Sequence, residues 1–361
     1  MDQRTRFLKT INGQLPDRPP TFVTLTPQMA QKLADATGIS YEEPIDSLLS
    51  TRISHTGMLT KLGNDCVGIA SAAPKDHPTL TREDGIKVNE WGMTFKSTGL
   101  YDEFYEYPLA NAESVKDIEV YDFPDPFAEG RFDHAKSTFK KYSGQYGIVA
   151  ELETSIFETA WYLTGLEKFF MDMMMGTPYV ETLLDRIMHI NTEIGKELIR
   201  IGADMIWCGD DFGGQSGMLL DPDQWRTVFK PRISWMFEEF RKVNPDIKIA
   251  WHSCGSIIPI IPDFIEIGLD VLNPLQPLAK DMTPEKLKKE FGKDLIFFGG
   301  IDVQDLLPNG TAEEVNKEVT RRMHIFGEGG KYIVAPAHNI QPDTPVENVM
   351  AYFEAVKEFR Y

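Results

Sequence analysis

The stretch Ile249–Ser256, IAWHSCGS, ends an apolar, β-forming run by placing His252 and Cys254 two residues apart, just before a glycine. Side chains at i and i+2 of a strand point to the same side, so an imidazole and a thiol share one face at the mouth of that strand. Zinc takes thiolate, imidazole and carboxylate ligands, and a catalytic site keeps one position for substrate or water. Reactive side chains close other β-like runs as well: Cys208, Asp210 and Asp211 in ADMIWCGDD, Asn273 and Gln276 in DVLNPLQP, Asp302 in LIFFGGID, His338 and Asn339 in KYIVAPAHN. The run GIVAELE adds Glu151 and Glu153, with Glu158 just beyond. The expected metal set is His252, Cys254 and His338, with Asp210 as a fourth ligand able to yield to substrate. Asp211 is read either as catalytic or as a cap on the next helix, and Cys208 as core or pocket wall.

These residues need a scaffold that brings distant strand ends together. The runs beginning at Thr21, Cys66, Gly147, Ala203, Ile247, Asp270, Leu295 and Lys331 number eight, which closes a parallel barrel. Helical patterns between the later runs, 221–243, 283–292 and 311–330, imply a parallel sheet with crossover helices. Thr283 and Thr311 stand at cap positions before acidic first turns. The expected fold is therefore α/β, a (β/α)8 TIM barrel in a single domain over residues 1–361, with its chemistry at the carboxyl ends of the strands. Residues 85–111 read as a strand-rich excursion covering one end. No GxGxxG follows an early strand, which argues against a dinucleotide fold. Gly299 and Gly300 suit a tight bend, the cluster MDMMMG at Met171–Gly176 suits helix packing, and His55, His77, His134, His189 and His324 fall outside the strand-end pattern.

The chain has 361 residues, a formal net charge of −18 and three widely spaced cysteines. Such acidity argues against nucleic-acid and anionic-membrane surfaces, which call for Lys and Arg. The cysteines do not form a disulfide framework, the N-terminal MDQRTRFLKT lacks the apolar core of a signal peptide, and no run of roughly 18 apolar residues occurs. The expectation is a cytoplasmic protein, with a homo-oligomer left open.

The segments RFLKTINGQLPDRPP, NEWGMTF, WHSCGSIIPIIPDFIEIGLDVLNPLQP, FGGIDVQDLLPNGTAEEV and APAHNIQPDTPVENV together resemble the uroporphyrinogen decarboxylase superfamily, across nearly the whole chain. The resemblance implies a (β/α)8 barrel with a deep pocket and two branches, porphyrinogen decarboxylases and cobalamin-dependent methyltransferases. The decarboxylases place arginines just after RPP to hold substrate carboxylates, whereas here none lies between Arg18 and Arg52. The methyltransferase branch carries an HxC pair, matched by His252 and Cys254, an acidic position near Asp210, and a later zinc-binding cysteine where this chain has His338. A neutral imidazole in place of a thiolate leaves the metal a better Lewis acid. The implied activity is demethylation of a small methylated substrate, a methoxyaromatic or a methylated amine or thiol, with the methyl group passing to a corrinoid on a partner protein. Asp302, Asn273, Gln276, Asn339 and Glu153 are then expected to orient substrate, and Asp210 or Asp211 to deliver a proton. The alternatives are a decarboxylase of a smaller or tetrapyrrole acid and a corrinoid- or tetrapyrrole-binding protein without turnover.

Overall fold

Seven of the eight expected runs form one parallel sheet in the computed structural model, which describes residues 1–99 and 102–361. They are β1 (Cys66–Ile69), β2 (Gly147–Glu153), β3 (Met205–Gly209), β4 (Lys248–His252), β5 (Val271–Asn273), β6 (Ile296–Ile301) and β7 (Tyr332–Pro336), paired in that order. The eighth run, at Thr21–Leu25, fills the gap between the last strand and the first. It makes two isolated parallel bridges to the β7 side, Thr21 with Val334 and Leu25 with Ile340. On the β1 side the backbone ladder is largely replaced by side chains. The Asn64 amide accepts from the Val23 N–H and donates to the Val23 carbonyl, and the Asp65 carboxylate accepts from the Thr21 N–H.

Alternation along these strands sorts their residues into two cores. Cys66, Val149, Met205, Trp207, Ala250, Val271, Ile296, Phe298, Ile333 and Ala335 form an inner cluster with Phe7 and Ile11. The last two come from the helix Gln3–Ile11, which plugs the end where the strands begin. That plug requires Gly147, since a Cβ there would lie 2.2 Å from the Phe7 ring. The opposite parity, for example Ile148, Ala150, Leu152, Ile206, Cys208, Ile249 and Trp251, faces the surrounding helices in a larger cluster. Cys208 is thus outer core, as expected.

Beneath the sheet, the Asp65 carboxylate takes Arg6 at 2.6 Å and Arg18 at 2.8 Å. Arg18 of the RPP segment is therefore occupied at the closed end of the barrel.

The expected excursion is a four-stranded antiparallel meander, Leu80–Thr81, Lys87–Val88, Thr94–Ser97 and Asp102–Phe104. Residues 100 and 101 of that stretch lie outside the described residues. Phe104 packs on Tyr162 and Trp161 of the helix Phe157–Thr164, with ring centroids 4.5 and 5.7 Å apart, which holds the meander against the carboxyl end of β2.

Three local expectations change. The helical stretch 221–243 is two helices, Pro222–Val228 and Lys230–Val243, where Pro231 can only sit in a first turn. Thr311 makes its capping box with Glu314, whereas the Thr283 side chain makes no capping hydrogen bond. Of the methionine cluster only Met173 is buried, while Met171, Met174 and Met175 are exposed. Among the described residues no helix is long and apolar enough to cross a membrane.

Candidate metal centre

Strand parity delivers His252 to the inner face, in line with Ala250. It can sit there only because its neighbour in β3 is Gly209, where a Cβ would come within 2.5 Å of the His252 Cβ. One strand over, Asn273 also faces inward, and its Oδ1 lies 2.6 Å from His252 Nδ1. The Asn273 amide donates to the Phe298 carbonyl, which fixes Oδ1 as the end facing the imidazole. His252 Nδ1 therefore carries the proton and donates it, leaving Nε2 with a free lone pair, the form in which histidine binds metals.

Nε2 is 3.4 Å from Cys254 Sγ. A nitrogen of His338, the sulfur of Cys254 and a nitrogen of His252 all lie within 4.8 Å of one another. Around a tetrahedral zinc, ligand atoms stand roughly 3.3–3.8 Å apart given its bond lengths, so a small contraction of these two nitrogens and one sulfur would meet the cation. Two carboxylates border it. Glu153 Oε1 is 3.2 Å and Asp211 Oδ1 3.5 Å from His252 Nε2. Asp211 also accepts the Cys254 N–H at 2.6 Å, which fixes the backbone that carries the thiol.

The electrostatics suit a cation. Burial pushes the Cys254 thiol well up, reinforced by Asp211, Glu153 and Glu158, so an incoming cation would have to displace its proton. Burial and the nearby Arg52 push His338 down to about 4, which keeps it a neutral nitrogen donor. For Glu153, burial is the largest influence and acts upward, but the Arg52 guanidinium leads the opposing influences, and the carboxyl lies below its usual range.

Asp210 is not among the three grouped residues. Its parity is that of Cys208, opposite to Asp211, and its carboxylate accepts the N–H groups of Ile156 and Glu158 at the start of the helix Phe157–Thr164. Burial pushes it up to about 8 in spite of those bonds. Asp302 is likewise engaged with backbone, accepting from the N–H groups of Gln304, Asp305 and Leu306. Gln276 accepts the Gly255 N–H at 2.8 Å and so braces the turn after Cys254. Asn339 accepts from the Thr24 hydroxyl and donates to that of Thr51. Gly299 and Gly300 have φ of 116° and 88°, and a Cβ on Gly299 would lie 2.0 Å from the Pro274 carbonyl, so the expected bend is real.

Two participants were absent from the strand-end reading. Arg52, 6% exposed, comes from the short helix Ser50–Ile53. It pairs with Glu153 at 2.5 Å and lies 4.2 Å over the Trp207 ring. Tyr162 donates to Glu158, whose other oxygen accepts the Asp211 N–H. Neither belongs to a strand, so no periodic signal marked them.

A cleft of about 650 Å³ lies between the meander and residues 44–51. The cations near it are matched: Lys87 with Asp102, Arg131 with Glu90 and Arg52 with Glu153.

Comparison with known proteins agrees with this architecture. The family model "Uroporphyrinogen decarboxylase (URO-D)" matches residues 101–359. The methylated-thiol–coenzyme M methyltransferase of Methanosarcina mazei is 27% identical over 220 residues, covering 61% of this chain and 55% of that protein. A methylcobamide:CoM methyltransferase of Methanosarcina barkeri is 24% identical, covering 55% and 54%. The uroporphyrinogen decarboxylase of Coxiella burnetii is 25% identical, covering 49% and 47%. The chain thus spans about half the length of the curated relatives it matches. Among solved structures, a methyltransferase from Methanosarcina mazei superposes with a TM-score of 0.75 at 22% identity, covering 99% of both chains, and shares the fold.

Proposed function

The chain belongs to the uroporphyrinogen decarboxylase family, and from that premise we propose that it moves a methyl group between a small methylated substrate and a corrinoid carried by a partner protein. It acts as a cytoplasmic, single-domain enzyme over residues 1–361. One observation carries this reading: two imidazole nitrogens and a thiol converge at the barrel mouth with the tautomer of His252 already set by Asn273. The names of the two Methanosarcina relatives point the same way. A decarboxylase of a polyacid would need free cations instead, and Arg52, Lys87 and Arg131 near the cleft beside the meander each hold a carboxylate.

His252, Cys254 and His338 would hold zinc, with Glu153 or Asp211 as neighbouring carboxylates. When bound, zinc supplies Lewis acidity to the heteroatom that carries the methyl group. The protein does the rest through position. Asn273 orients the imidazole, Asp211 and Gln276 fix the backbone around Cys254, and Arg52, seated over Trp207, clamps Glu153. Asn339 tethers the Thr24 and Thr51 segments at the rim. Asp210 and Asp302 act through the backbone they organise. Asp211, partly open to the mouth, is the group placed to exchange a proton with a leaving heteroatom. With an imidazole in the place of a second thiolate, the donor set favours release of a methylated oxygen, nitrogen or sulfur over activation of a thiol nucleophile.

The test is incubation with cob(I)alamin and a panel of methoxyaromatics, methylamines and methyl thioethers, following methylcobalamin by its absorbance. The expected result is transfer from one donor class, lost with the zinc in His252→Ala and Cys254→Ser. Failure of every donor together with carbon dioxide release from an organic acid would overturn the reading.

A further inference from the structure

Glu151 is 1% exposed, and neither of its carboxyl oxygens meets a hydrogen-bond partner. It shares the inner face of β2 with Glu153, one strand repeat of about 7 Å away. It lines a small cavity of about 50 Å³ with mixed walls, whose polar side chains include Asp46, Ser71, Asn89, Arg131 and Glu153. At roughly 10–15 Å³ for each water, that space suits about three to five waters. Its charges are already matched, Arg131 by Glu90 and Glu153 by Arg52, while Asp46 accepts the Thr79 N–H. Asp46, Ser47, Leu48, Thr79 and Asn89 also line the outer cleft, so the small cavity lies between solvent and the interior.

A lone buried carboxylate is strongly disfavoured, whereas the neutral acid can donate one O–H and accept at its other oxygen, as a member of a water chain must. Burial pushes this carboxyl well up, opposed by Arg52 and reinforced by Glu153.

We propose that Glu151 is a proton relay between water in this cavity and the Glu153 side of the metal centre. The chemical use of the relay rests on the methyl-transfer reading. In demethylation the bond from carbon to the heteroatom breaks with its electron pair on the heteroatom, and the methyl group leaves for the corrinoid partner. The heteroatom then takes up one proton. Glu151 gives up its O–H proton towards it and regains one from cavity water, so solvent is the net donor and nothing else is oxidised or reduced.

The first arm of the test needs no turnover. The infrared difference spectrum of the full chain against Glu151→Gln should contain a protonated-carboxyl band that shifts within seconds of mixing with heavy water. Ser71→Leu, which narrows the cavity and leaves Glu151 in place, should slow that shift tenfold or more. A missing band, or a shift rate untouched by Ser71→Leu, overturns the relay whatever the protein catalyses. In the second arm, Glu151→Gln should lower kcat for methyl transfer on the order of 10- to 100-fold with KM and zinc content unchanged, and Glu151→Asp should restore much of it. Equal rates in wild type and Glu151→Gln overturn the relay, while absence of methyl transfer in wild type with the infrared result intact overturns only the methyl-transfer reading.

Discussion

The two ends of the barrel treat buried charge in opposite ways. Where the strands begin, Asp65 is closed in by Arg6, Arg18 and the Thr21 N–H, and Asp204 is closed in by Arg4 and the Ile148 N–H. Where the strands end, Arg52 pairs with Glu153 and also acts on Glu151 and Cys254, while Glu158 and Asp211 feel one another and Glu153 as like charges. Satisfied charges at the first end hold the fold together. At the second end the acids outnumber the one cation that pairs with them, Arg52, and Glu153 and Asp211 border a site suited to a cation from outside, which is the division between stability and chemistry that such barrels show.

The comparison can be broken most forcefully at the closed end. Asp65→Ala leaves two arginines without their shared carboxylate and should cost about 3–5 kcal/mol in urea unfolding. The protein that remains folded should bind zinc with unchanged stoichiometry. At the open end, Asn273→Ala should lower zinc affinity on the order of 10- to 100-fold in a chelator competition, because His252 loses the partner that sets its tautomer, with little change in unfolding by urea of the zinc-free protein. Between these lies Asp302→Ala, which removes the acceptor of three N–H groups ahead of the helix Leu306–Asn309. It should cost about 1 kcal/mol as a lost cap and leave zinc bound, since its carboxylate serves the backbone.

The contrast can also be sharpened through pH. Burial raises the Asp210 carboxyl from 3.8 to about 8 in the folded protein. The folded state thus holds a proton that the unfolded chain releases, so this group's contribution to stability falls as pH climbs from about 4 to about 8 and is flat above. Asp210→Asn should flatten that part of a pH series of urea midpoints; an unchanged slope would mean that another acid carries it.

Much of this was readable before any coordinates. β-Branched and aromatic runs located β1 to β7, and the chemistry at their ends located His252, Cys254 and His338, because strand parity is a local property. The same parity argument, carried three residues past Cys208, separates Asp211 from Asp210: Trp207, Gly209 and Asp211 share one parity while Asp210 turns toward a helix. Asp302 was ambiguous because a carboxylate at a strand end can serve substrate or the next N-terminus equally well. Arg52 was illegible, since it reaches the site from a four-residue helix with no periodicity to mark it. Thr21–Leu25 reads as a strand by composition, but the side chains of Asn64 and Asp65 take over its hydrogen bonding on one side. The exposed methionines of the 171–175 stretch show that a helical apolar run does not reveal which face it buries.

X-ray absorption at the zinc edge tests the central claim most directly. The account predicts one zinc per chain with sulfur and nitrogen ligands, the sulfur contribution vanishing in Cys254→Ser and the nitrogen contribution falling in His338→Ala. Zinc absent from protein supplied with it, or an edge spectrum indifferent to both substitutions, would contradict it.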